Sequence, residues 1–190
     1  MRELWQFYVD NYEKLMEQVI RHLNLTLVSV LLACAISIPL GVLIARKARL
    51  SGPVLTITGI LQTIPSIALL GFLIPVLGIG MKPAIFALFL YSLLPIVRNV
   101  YTGINGMDAN VREAARAMGM SSSQILFKVE LPLALPTIFA GIRTATVINV
   151  GVATLAAYIA AGGLGEFIFG GIALNNSTMI IAGALPAALL

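Results

Sequence analysis

Leu25 to Ala45 is a run of 21 residues without a charge, and Arg46, Lys47 and Arg49 follow it without an acid. At 1.5 Å of rise per residue such a helix covers about 30 Å, the thickness of a bilayer's hydrocarbon core. The basic cluster sets the orientation, because short loops rich in Lys and Arg stay on the cytoplasmic side. The loop after Ala45 is therefore expected inside and the N-terminus outside. Composition agrees: 59% of the 190 residues are hydrophobic, mean hydropathy is +0.98 and 11% are charged, against about 25% charged in soluble domains. The net charge of +4 reads as loop placement and not as a nucleic-acid footprint. A chain of this length holds one bundle of about five spans and no separate soluble catalytic domain.

Four further runs complete the expected all-α membrane fold, a single transmembrane domain over residues 1–190. Pro53 to Leu77 carries Gln62, Thr63, Pro65 and Ser66 near its middle. A mid-span proline frees a backbone carbonyl, and polar side chains at that depth face protein or a water-filled cavity. A pathway wall and a kinked helix bonded to its neighbours both fit. Pro83 to Ile104 follows a Gly/Pro-rich turn, Gly78 to Pro83, expected outside. Leu133 to Ala161, with 29 residues, is expected to be tilted or broken, and contains Arg143 and Asn149. A charge at that depth is costly, which makes Arg143 a pathway candidate; snorkelling to the inner headgroups or bonding helix-end carbonyls is the structural alternative. Met179 to Leu190 has only 12 residues, too few to cross comfortably, so the fifth helix is expected to continue in a longer chain. Residues 1–24 mix Glu3, Asp10, Glu13 and Glu17 with Arg2, Lys14 and Arg21, and carry Trp5, Phe7, Tyr8 and Tyr12. That composition suits a peripheral helix at the membrane interface. Acids dilute the basic start and the apolar run begins late, so the segment does not read as a signal peptide.

Between the third and fourth runs lies a charged stretch, Asp108 to Pro132, DANVREAARAMGMSSSQILFKVELP. Asn110 is expected to cap a first short helix, with Glu113 closing a capping box. Val111, Ala115 and Met118 then share one apolar face, and Arg112 and Arg116 another. Gly119 supplies a left-handed end, Ser121 and Gln124 repeat the capping-box spacing, and Pro132 fits the first turn of the next helix. Arg98, Arg112, Arg116 and Lys128 put this pair on the cytoplasmic face. Local chemistry leaves two readings open: a hairpin that links two spans, or a docking element.

Catalytic chemistry has little to stand on. There is no GxxxxGK[ST] phosphate loop, no Ser/His/Asp or Cys/His constellation, and no acid inside a proposed span to couple protons or sodium. Cys34 is the only cysteine, which excludes an internal disulfide. Leu31 to Cys34 makes a faint lipoprotein-like box, but the apolar run continues past the thiol, so a buried cysteine is expected. His22 stands without a partner at metal-ligand spacing and is expected at the surface or interface. GGLG at Gly162 to Gly165 departs from GxGxxG, because Ile168 occupies the third glycine position, and suits a tight extracellular turn or re-entrant segment.

Glu113-Ala114-Ala115, then Gly119, then Val129 and Leu131-Pro132 resembles the EAA loop of permease subunits of bacterial ABC importers, with Val129 where the family commonly has isoleucine. QTIPS at Gln62, LYSLLPIVRN at Leu90, MGMSSSQ at Met118, AGIRTA at Ala140 and AAGGLG at Ala160 resemble the branch that imports glycine betaine, carnitine and choline. The resemblance implies a type I importer in the bacterial cytoplasmic membrane. Its parts would be two permease copies or paralogues, cytoplasmic ATPases that hold Mg-ATP, and an external or fused substrate-binding protein. It implies no cofactor in this chain and no activity as an enzyme. Glu113, Ala114, Ala115, Arg116, Gly119, Ser121, Leu131 and Pro132 would couple to the ATPase. Gln62, Thr63, Pro65, Ser66, Arg143 and Asn149 would line a substrate pathway. A permease for another small substrate, such as an amino acid, and a secondary carrier are the alternatives.

Overall fold

The computed structural model describes residues 2–190; Met1, the first residue of the expected peripheral helix, lies outside them. The elements are α1 (Arg2–Asp10), α2 (Tyr12–Arg46), α3 (Ala48–Thr63), α4 (Ser66–Leu77), α5 (Met81–Asn105), α6 (Ala109–Ala117), α7 (Ser122–Ile125), α8 (Leu131–Ala153), α9 (Gly165–Ala173) and α10 (Ser177–Leu189). A π-helical stretch, Leu126–Glu130, joins α7 to α8, and a 3-10 stretch, Thr154–Ile159, extends α8. Among the described residues, Tyr12–Arg46, Met81–Asn105 and Ser122–Ile159 are long and apolar enough to cross a membrane, and the bent pair α3–α4 would make a fourth crossing. The fifth expected span corresponds to α10, which is 13 residues long.

α2, α5 and α8 pack together as the core, with α3 and α4 against α5 and the α9–α10 hairpin beside α1. Leu25, Leu88, Tyr91 and Ala153 fill one end of this core, and Ala33, Ile96, Val100 and Ile138 the other. Cys34 is half-buried against the second group. In lipid the helices gain little from burying apolar surface, so close contact and interhelical hydrogen bonds hold them. Gly141 shows the first device: a Cβ there would stand 2.9 Å from the Pro95 carbonyl oxygen and 2.6 Å from Asn99 Cβ. Asn149 shows the second: fully buried, it donates from Nδ2 to Ser29 Oγ at 2.9 Å and Ser92 Oγ at 2.8 Å, which pins all three helices. Leu27, Leu31 and Ile36 of α2 and Phe139 and Val147 of α8 face outward.

The structure corrects two of the expected boundaries. Residues 1–24 do not form a separate peripheral helix: the chain breaks at Asn11, and α2 then runs for 35 residues straight through position 24. Gln18 and His22 are buried, and their contacts described below are what hold this half of α2 against the bundle. Pro53 to Leu77 is sharply broken and not gently kinked, because α3, which begins at Ala48, and α4 meet at 96°. Pro65 disfavours the helical conformation at Ile64, which is extended at φ −64°, ψ 128°. The Ile64 carbonyl freed by the break accepts a hydrogen bond from the Tyr91 hydroxyl.

Candidate functional site

The charged stretch folds as two short helices at the end of the bundle where α2 and α5 stop. Asp108, not Asn110, caps the first helix: its carboxylate accepts from the Asn110 N–H at 2.9 Å. Asp108 directly precedes the helix, so its side chain reaches the second amide inside. The second cap is the reciprocal box expected, with Ser121 N–H donating to Gln124 Oε1 at 2.8 Å and Gln124 N–H to Ser121 Oγ at 3.3 Å. Gly119 lies between them at φ +76°, a left-handed conformation that a side chain would strain. The expected apolar face is narrower than its spacing suggests. Only Ala115 is buried; Val111 and Met118 are exposed, the latter at 74%. Glu113, Ala114, Arg116, Gly119 and Ser121 are exposed as well.

What fixes this pair to the bundle is Glu130, which is 4% exposed. Its Oε2 accepts from Arg46 at 3.0 Å and its Oε1 from Arg112 Nε at 2.9 Å. Arg46 also donates to the Ser122 carbonyl at 3.0 Å, and Arg112 to the Ile104 carbonyl at 3.1 Å. One carboxylate thus gathers the end of α2, the end of α5, α6 and the start of α7. A cavity of about 280 Å³ lies among Arg46, Arg112, Arg116, Ser122 and Glu130. At the π-helical stretch the ladder widens by one residue, so that Leu131 N–H reaches back to the Leu126 carbonyl; just beyond it Pro132 lacks the N–H that would bond the Lys128 carbonyl. Pro132 stands in the first turn of α8, but the helix passes through it without a turn.

The pathway candidates fall in three places. Gln62, Thr63, Pro65 and Ser66 form the α3–α4 bend, with Gln62 and Ser66 half-buried and Thr63 and Pro65 exposed. Asn149 is in the core and its Oδ1 has no partner. Arg143 is exposed in an open groove along α8, beside Phe139, Thr144 and Val147.

At the far end of the bundle the glycine loop is held by α2. Gly162 and Gly163 have φ of +82° and +91°; Gly163 N–H donates to Gln18 Oε1 at 2.6 Å, and Leu164 N–H to His22 Nδ1 at 3.4 Å. His22 Nε2 lies 3.0 Å from the Val150 carbonyl, so the neutral tautomer with its proton on Nε2 satisfies both contacts. His22 is therefore a buried strut and not the surface residue expected from its isolation. Glu130 and Gln18 escaped sequence reasoning, which gave Arg46 only an orientation role and put His22 at the surface or interface; the one local signal was an acid directly before Leu131-Pro132.

Residues 37–190 match the family described as "Binding-protein-dependent transport system inner membrane component". The chain is 49% identical to an osmoprotectant import permease of Salmonella typhimurium over 97% of this chain and 88% of that protein. It is 45% identical to a choline transport system permease of Bacillus subtilis over 100% and 88%, and 46% identical to a glycine betaine/carnitine/choline transport system permease of the same organism over 100% and 83%. Among solved structures, a methionine ABC transporter in inward-facing form superimposes with a TM-score of 0.80 and 31% identity, over 92% of this chain and 88% of that one. The chain therefore belongs to the inner membrane components of binding-protein-dependent transport systems, the permease subunits of ABC importers, and has their type I fold.

Proposed function

We propose that this chain forms the membrane pathway of an ATP-driven importer for a small quaternary amine of the glycine betaine, carnitine and choline class. An external binding protein would deliver the substrate, and a second permease copy or close paralogue would complete the pathway. Cytoplasmic ATPases would hold Mg-ATP and dock on α6 and α7, with the N-terminus on the opposite side of the membrane. The transport systems named for its relatives support the substrate class. The coupling role rests on one observation: α6 is braced from behind by Glu130 while Glu113, Ala114 and Met118 stay exposed. Small Ala114 lets a partner approach closely, Glu113 offers it a carboxylate, and Gly119 sets the angle between α6 and α7. Leu131 and Pro132 carry the motion into α8. Gln62, Thr63, Pro65, Ser66 and Arg143 line the passage, while Asn149, buried among three helices, holds the bundle that forms its wall.

The test is uptake of labelled substrate by the reconstituted complex with its ATPase and loaded binding protein. Gly119→Leu and Glu113→Lys are expected to abolish substrate-stimulated ATPase and uptake at unchanged membrane abundance. Normal activity in both would reject the coupling role. Import of an amino acid is a second reading, favoured by the methionine transporter likeness at 31% identity; methionine as competitor separates the two.

A further inference from the structure

Arg143 occupies a place that calls for a partner. It lies 12 residues after Leu131 and 10 before Ala153, about 18 Å and 15 Å from the ends of α8 at 1.5 Å per residue. That is about three helical turns from either end, and a cation so placed along an apolar helix is costly unless it faces protein, a partner charge or a water-filled cavity. None of the ion pairs among the described residues includes Arg143. It opens instead into a groove of about 800 Å³ along the outer face of α8. Phe139, 63% exposed, lines the same groove. Residues four apart on a helix share a face with Cβ atoms about 5–6 Å apart, so the ring and the guanidinium are neighbours.

We infer that this groove recognises a small zwitterion, with the Phe139 ring against its quaternary ammonium and the Arg143 guanidinium on its carboxylate. This deepens the proposed function and rests on it. A ring face attracts a quaternary ammonium through its quadrupole, and a guanidinium matches a carboxylate with two parallel hydrogen bonds. The two groups sit one helical turn apart, the scale of a compact betaine. A quaternary ammonium without a carboxylate, such as choline, meets the same ring but also the like charge of Arg143, so the groove discriminates against it. Thr144 lines the same groove, but its hydroxyl donates to the Ala140 carbonyl at 2.9 Å, which leaves the carboxylate to the guanidinium.

The experiment compares uptake of labelled glycine betaine and of choline by the complete complex carrying each variant, at matched abundance and basal ATPase. Arg143→Gln is expected to lower glycine betaine uptake about tenfold or more, the effect of losing a charged hydrogen-bonded pair. Choline uptake should fall less than glycine betaine uptake, and Arg143→Lys should recover part of the loss. Phe139→Leu should lower glycine betaine uptake, and Phe139→Tyr should leave it within about twofold. Equal losses of both substrates in Arg143→Gln, or no loss of either, overturn the site while leaving the importer intact. A wild-type complex that imports choline and not glycine betaine overturns it too. If the wild type imports neither, the functional reading fails and takes the site with it.

Discussion

Glu130 is a single carboxylate shared by two guanidiniums whose own exposure is 36% for Arg46 and 28% for Arg112. Removing an acid from such a pair leaves two cations near each other with only carbonyls to receive them, and the cost for buried pairs is about 3–5 kcal/mol. Because both arginines keep some solvent, Glu130→Ala is expected near the lower end, about 3 kcal/mol. Unfolding of the purified protein in detergent measures it; a loss below about 1 kcal/mol would mean the clamp is incidental. Arg46→Ala, which leaves Arg112 on the carboxylate, should cost less. The same residues show where legibility stops. Gly119 and the Ser121–Gln124 box were readable because each is decided within four residues by backbone conformation and a short side-chain reach. The Asp108 cap was missed by two positions because Asp and Asn cap equally well and only the backbone decides between them. Glu130 was invisible because its partners are 84 and 18 residues away, and nothing local in a charged stretch tells a clamp from a solvated face.

Between residue and bundle stands the π-helical stretch Leu126–Glu130, one widened turn inside an otherwise continuous helix from Ser122 to Ile159. A widened turn holds one residue more than the α ladder needs, and each residue turns the helix by about 100°. Deleting exposed Lys128 is therefore expected to restore α geometry and to rotate α7, with its capping box and Gly119, by about that angle relative to α8. Uptake should be lost with the protein still in the membrane, whereas Lys128→Ala, which keeps the count, should transport within about twofold of normal. Uptake by the deletion variant at the normal rate would show that the register is not used. Among the elements, hydropathy disclosed the three long apolar helices well because each satisfies its backbone bonds internally whatever its neighbours do. It failed at the α3–α4 bend, where run length concealed a 96° turn, although Ile64-Pro65 carried the signal. It failed again at α2, where charged residues up to position 24 read as a separate peripheral segment while Gln18 and His22 were already packed inside.

On the scale of the molecule, the core of α2, α5 and α8 is tied at both ends by polar contacts, and the ties are of different kinds. At one end Glu130 joins helix ends through charge. At the other, Gln18 and His22 of α2 accept the N–H groups of Gly163 and Leu164. Those amides are buried in a loop whose left-handed backbone offers them no partner of its own. An orphaned buried N–H costs about 1–3 kcal/mol, so local stability should respond at one end at a time. In Gln18→Ala the Gly163 amide is expected to exchange with solvent about tenfold faster or more, and the double variant with His22→Ala should extend this to Leu164. Exchange across Ser121 to Glu130 should stay unchanged, because α8 separates the two ends by its full length. Glu130→Ala should give the reverse pattern. Hydrogen exchange read peptide by peptide decides the matter: acceleration at both ends in either variant would mean that the bundle opens as one unit, and the two ties would then be parts of a single cooperative core.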